Sequence, residues 1–110
     1  MSWQGVPAPP VVGERLVTDA EEFQEILHHH VAIHRPEAIA PAFEALSSVV
    51  DEILPIELET VTRARDLVLA IAGASARDAV HVAAMERRGI QTIFTFDRGF
   101  DAFPGIRRLV

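Results

Sequence analysis

Five consecutive residues, Thr92-Ile93-Phe94-Thr95-Phe96, are β-branched or aromatic, whereas most of the chain is apolar at helical spacing. That contrast constrains the fold most. A run apolar on both faces reads as a strand buried inside a sheet that helices cover. Before it come a short strand around Arg15–Thr18 and an apolar stretch, Ile53-Leu54-Pro55-Ile56. The latter belongs near a sheet edge, because Pro55 cannot donate to a ladder. A turn at Pro104-Gly105 leads to a last short strand at Ile106–Val110. Strands alternating with helices predict an α/β fold with a mainly parallel sheet.

The helices have legible ends. Thr18 and Glu21 fit a capping box, opening a helix that carries Ala20, Phe23, Leu27 and Val31 on one stripe and ends near Arg35-Pro36. Pro36 suits the first turn of a second helix with Ile39, Phe43, Leu46 and Val50 on its buried face. A third carries Leu58, Val61, Ala64, Leu67, Val68 and Ile71 and stops at Gly73. Ser75 caps a fourth, Ala76 to Arg88, with Gly89 just beyond. Residues 1–13 hold three prolines and two glycines without periodicity and read as an irregular leader before a single domain, 14–110.

Composition narrows the chemistry. With 110 residues, 49% of them apolar, the chain can bury one proper core. It has no cysteine, hence no disulfide framework, thiolate metal site or thiol nucleophile. No apolar run approaches the roughly 20 residues of a membrane helix and no signal-peptide pattern is present, so a cytoplasmic protein is expected. The net charge of −6 argues against tight non-specific nucleic-acid binding. All ten basic residues are arginine, so a local phosphate-gripping groove is still open to it.

Three acidic residues stand out. Asp97 ends the Thr92–Phe96 run, and open α/β sheets bind ligands beyond the carboxyl ends of their strands. As a lone feature it is equally an ordinary turn aspartate. Asp78, in Ser75-Ala76-Arg77-Asp78-Ala79-Val80-His81-Val82-Ala83, caps its own helix and would also face any cleft at that helix end. Glu25 falls opposite the Phe23/Leu27/Val31 stripe, which suggests solvent exposure and is also the side from which a cleft could be reached. His81 reads as a core or supporting imidazole. His30 and His34 stand four apart, but Val31 occupies the place where zinc-protease motifs need glutamate, so His28-His29-His30 reads as a solvated face. Glu25-x-x-His28 with Asp78-x-x-His81 is also reminiscent of di-iron helix bundles, an architecture with no use for the Thr92–Phe96 strand.

Together, Gln24-Glu25-Ile26-Leu27-His28, Ser75 to Ala83, and Thr95-Phe96-Asp97-Arg98-Gly99-Phe100 make the chain from about Leu16 to Val110 resemble a PIN domain, particularly the VapC-type toxins. The resemblance implies a three-layer α/β/α fold and an acidic pocket for Mg²⁺ or Mn²⁺ formed by Glu25, Asp78 and Asp97, with Asp101 as an accessory. It implies cleavage of single-stranded RNA by metal-activated water, and a cognate antitoxin as protein partner. Arg77 and Arg98 flank the acids and could hold the RNA backbone, or be paired with a neighbouring acid. PIN domains open with a central strand ending in aspartate, and residues 1–13 hold no acidic residue. The family's first strand is therefore expected to be missing. Compensation could come from Val6–Val12, from a rearranged sheet, or from a second subunit in a homo-oligomer, expected to be a dimer. The alternative function is a catalytically impaired PIN-like binding or oligomerisation module.

Overall fold

The computed structural model describes residues 15–93, 95 and 97–109. The leader, and with it Val6–Val12, lies outside the described residues. Strand β1 (Val17–Asp19) runs into helix α1 (Ala20–Ala32), followed by a 3-10 turn (Pro36–Ala38), α2 (Ile39–Val49) and β2 (Glu52–Leu54). Helices α3 (Leu58–Ala70) and α4 (Ala76–Arg87) precede β3 (Thr92–Ile93), a 3-10 turn (Arg98–Ala102) and β4 (Arg107–Arg108).

Both ladders are parallel, as alternation predicts: Val17 pairs with Glu52 and Asp19 with Leu54, while Thr92 pairs with Arg107 and Ile93 with Arg108. Among the described residues they form two separate two-stranded sheets rather than one. Of the expected strand Thr92–Phe96, β3 covers the first two residues; Thr95 is buried, and residues 94 and 96 lie outside the described set.

The core sits between α3, α4 and the strands. Val17, Leu54, Ala64, Leu67, Ala79, Val82, Met85, Ile93, Phe100 and Phe103 form one buried cluster. Alanines at 79, 83 and 84 let neighbouring elements approach α4 closely, and Met85, fully buried, contributes about 1.5–3 kcal/mol through its side chain. Ser75 starts α4 as expected, its Oγ accepting the Asp78 N–H at 3.1 Å. Gly73 and Gly89, at φ +82° and +69°, take the left-handed turns that end α3 and α4, which a side chain would strain.

Other boundaries differ from the sequence expectation. Asp19, not Thr18, is the N-cap of α1: its Oδ1 accepts the Glu22 N–H at 3.1 Å, while Thr18 is buried in β1. The edge strand is Glu52–Leu54, so Pro55 falls after it. The stripes expected to be buried on the first three helices are only partly so. Leu27 and Val31 are exposed on α1 (Val31 at 62%), Leu46 is the buried residue of α2, and Leu58 and Val61 on α3 face outward. No helix among the described residues is long and apolar enough to cross a membrane.

Candidate metal centre

The inward side of α1 is acidic. Because Asp19 is the cap, Glu22 lies one turn in and Glu25 nearly another, and both turn towards the N-terminal half of α4. Glu22 is 4% exposed and Glu25 half-buried, so the solvent-facing expectation for Glu25 is reversed. What makes this burial tolerable is His81, which is fully buried on α4. Its Nδ1 lies 2.8 Å from Asp19 Oδ2 and its Nε2 lies 3.2 Å from Glu25 Oε1, with Glu22 Oε2 at 3.8 Å.

Both ring nitrogens face carboxylate oxygens, which can only accept while ionised, so the imidazole donates from both and is cationic. Burial alone would lower its pKa. The hydrogen bonds to Asp19 and Glu25, and their charges, outweigh burial and raise it to about 10. Glu25 mirrors this: burial pushes its carboxyl up, but His81 and then Arg77 hold it below the ordinary range. For Glu22 the more distant His81 charge is outweighed. Burial, followed by the charge of Glu25, raises this carboxyl from its ordinary 4.5 to about 7.

The other two expected ligands arrive from α4 and the loop after β3. Asp78 occupies the third position of α4. Asp97 begins the 3-10 turn, its Oδ1 accepting the Gly99 N–H at 2.8 Å and its own N–H donating to Thr95 Oγ1 at 3.1 Å. Phe100, fully buried, anchors that turn in the core beside His81, with ring centroids 6.3 Å apart. The anchoring presses Gly99 against Asp78: a Cβ at position 99 would stand 2.6 Å from Asp78 Oδ2 and 3.0 Å from Asp97 Oδ1. Burial, and the neighbouring charge of Asp97, raise the Asp78 pKa.

Glu25, Asp78 and Asp97 thus each come within 4.0 Å of one side chain, that of Arg77. Its Nε lies 2.9 Å from Glu25 Oε1 and 4.0 Å from Asp78 Oδ1, and its Nη2 lies 3.9 Å from Asp97 Oδ2. Of the two roles open to Arg77 in the sequence, pairing with neighbouring acids is the one observed. Asp101 turns elsewhere, held by Arg108 Nε and Nη2 at 2.9 and 3.2 Å. Arg98 is exposed at the start of the same turn. The histidine run behaves as a surface: His28 and His29 are exposed, and His30 Nδ1 donates to the Ile26 carbonyl at 2.8 Å. The di-iron alternative falls with the parallel strand pairs and with the exposure of His28.

The donor set fits a hard divalent cation. Two carboxylate oxygens, Glu22 Oε2 and Asp78 Oδ1, are buried without a hydrogen-bond donor, a costly state that a cation would relieve. Glu22, Glu25 and His81 offer ligand atoms within 4.8 Å of one another. His81 is nonetheless the wrong ligand, since both its nitrogens are committed as donors, which leaves carboxylate oxygens, the donors that hard cations take.

Asp19, Glu22 and His81 are the residues that sequence reasoning missed or left in the background. A signal was present: Asp19-x-x-Glu22 fits a capping box as well as Thr18-x-x-Glu21, and a histidine amid Ala79, Val82, Ala83 and Ala84 needs polar partners.

The PIN domain family model matches residues 8–106. VapC ribonuclease Mb1869c of Mycobacterium bovis and ribonuclease VapC13 of Mycobacterium tuberculosis are each 59% identical over 97 residues, covering 88% of this chain and 74% of theirs. Ribonuclease VapC23 of Mycobacterium tuberculosis is 40% identical over 84 residues, 76% of this chain and 66% of its own. The crystal structure of Mycobacterium tuberculosis VapC20, a sarcin–ricin loop cleaving toxin, superposes with a TM-score of 0.69 over 91% of this chain and 77% of that one. At 23% identity this likeness speaks for the fold. The chain belongs to the PIN-domain family, among its VapC ribonucleases.

Proposed function

We propose that this protein is a Mg²⁺- or Mn²⁺-dependent endoribonuclease that cleaves single-stranded RNA as the toxin of a cytoplasmic toxin–antitoxin pair, with a cognate antitoxin as its protein partner. The observation that carries the proposal is the convergence of Glu25, Asp78 and Asp97, far apart in sequence, on one guanidinium-sized space. Names of relatives agree: VapC13 and VapC23 are ribonucleases.

Glu25, Asp78 and Asp97 would hold the cation, with Glu22 beside them. Bound there, a divalent ion would lower the pKa of a water and offset charge developing on a phosphodiester. The chain's own residues do the remainder. His81 fixes Glu25 through Nε2 and is itself fixed by Asp19, so the carboxylate keeps its orientation without an entropic search. Gly99 leaves the space in which Asp78 and Asp97 sit side by side. Beside the site runs a groove of about 450 Å³ lined by Gln24, Glu25, His28, His29 and Arg77 among others, wide enough for an unpaired nucleotide. Exposed Arg98, next to Asp97 in the chain, supplies a cation for the RNA backbone. The outward leucines of α3, Leu58 at 77% and Leu69 at 80% exposure, favour a homodimer.

The test is cleavage of single-stranded RNA by pure protein with Mg²⁺ or Mn²⁺, wild type against Asp97→Asn. Metal-dependent cleavage that disappears in the variant is expected; equal cleavage by both would overturn the assignment. A folded wild type that dimerises yet binds no metal would instead mark a binding and oligomerisation module.

A further inference from the structure

The metal-site reading leaves one feature unexplained: the acids already have a cation. Arg77 belongs to the first turn of α4, next to Asp78, and its guanidinium spans all three proposed ligands. Its side chain is 54% exposed, whereas those of Asp78, Glu25 and Asp97 are 6%, 16% and 37% exposed. The arginine therefore lies over the carboxylates from the solvent side, where a long side chain can leave without disturbing the core. The Glu25 carboxylate, held by His81, and the Asp97 carboxylate, held by the Gly99 N–H, do not follow it.

The pairing is also incomplete. At 4.0 and 3.9 Å from Asp78 and Asp97, the guanidinium offsets their charge without donating a short hydrogen bond to either. Asp78 Oδ1 stays buried and without a donor beneath it, as does Glu22 Oε2. A monovalent, planar group thus only partly satisfies acids that could hold a compact divalent ion.

We propose that Arg77 is an intramolecular counter-ion that competes with the divalent cation for Glu25, Asp78 and Asp97, and that it must swing outward for the site to load. Arg77 keeps the acids together in the metal-free protein and thereby weakens their apparent metal affinity. The freed guanidinium then faces the groove lined by Gln24, His28 and His29, where a phosphate is the ligand it suits. The proposal rests on the metal-site reading above.

The test compares Mn²⁺ binding by the full chain, without RNA, in wild type, Arg77→Gln and Asp97→Asn, alongside the Arg77 Nε–H signal in a Mg²⁺ titration of the wild type. Arg77→Gln should bind Mn²⁺ roughly 3- to 10-fold tighter, as expected for removing a competing, half-exposed ion pair spread over three acids. The Nε–H signal should move from a bonded to a solvent-exposed position as Mg²⁺ saturates. Tighter binding with an unmoved Nε–H signal would refute the swing and reduce Arg77 to a distant repelling charge. Equal affinity in wild type and Arg77→Gln, with binding lost in Asp97→Asn, would overturn the competition and leave the metal site standing. No Mn²⁺ binding by wild type or Arg77→Gln would overturn both.

Discussion

Replacing Asp19 with asparagine changes one oxygen into an NH₂ group, and the structure assigns that change a cost. Asp19 is fully buried and accepts twice: Oδ1 from the Glu22 N–H that begins α1, and Oδ2 from His81 Nδ1. Asparagine has a single acceptor oxygen, so one of these bonds must go. If the oxygen keeps the helix cap, which asparagine makes as well as aspartate, His81 loses a charge-assisted bond worth about 1.5–3 kcal/mol and faces a donor instead. If the oxygen turns to His81, the cap is lost at about 1 kcal/mol, and the buried imidazolium loses one of its two close countercharges, keeping Glu25. Either way Asp19→Asn should destabilise the metal-free protein by about 2–4 kcal/mol, a large part of a domain's typical 5–15 kcal/mol. For a chain of this length the melting temperature should drop by roughly 8–16 °C. Asp19→Ala, which loses both bonds, should lose about 1 kcal/mol more. Urea unfolding followed by circular dichroism at pH 7 reads the differences directly. An Asp19→Asn midpoint within about 0.5 kcal/mol of wild type would refute the clasped, charged His81.

Glu22 makes the metal-free protein sensitive to pH. Its pKa is raised from 4.5 to about 7, so the stability linked to its proton is complete below 4.5 and lost as pH climbs through 7; His81, raised from 6.5 to about 10, loses its share at higher pH. Melting temperature should therefore fall from pH 6 to pH 9, and Glu22→Gln should remove the lower part of that fall, adding about 1–3 kcal/mol at pH 8; a wild-type profile flat over this range would contradict it. Gly99→Ala places a methyl 2.6 Å from Asp78 Oδ2, which must force the two aspartates apart, so Mn²⁺ affinity should drop about tenfold or more in calorimetry while the fold persists. Unaltered affinity would show that this loop yields freely.

Much of this site could be read before any coordinates, and what was hidden was hidden for one reason. Ser75 and Asp78 followed from local capping chemistry, and Asp97 from the end of an apolar strand, because each depends on neighbours in sequence. Parallel pairing followed from the alternation of strands and helices. On α1, by contrast, hydrophobic periodicity puts Leu27 and Val31 inside and Glu25 outside, whereas Leu27 and Val31 are exposed and Glu25 is half-buried. Periodicity assumes that a helix buries its apolar side. Here a histidine 56 residues away supplies the charge that allows an acidic side to be buried instead. Choosing Thr18 over Asp19 as the cap had the same origin: both fit the local pattern, and only His81, a long-range partner, distinguishes them. Arg77 was legible as a cation near the acids, but not as one spanning all three.

The central claim is that Glu25, Asp78 and Asp97 make one divalent-cation site, and Mn²⁺ titration followed by electron paramagnetic resonance tests it most directly. Wild type should take up one Mn²⁺ per chain, and Asp78→Asn and Asp97→Asn should each weaken that uptake at least about tenfold while remaining folded. Uptake by both variants equal to that of wild type would contradict it.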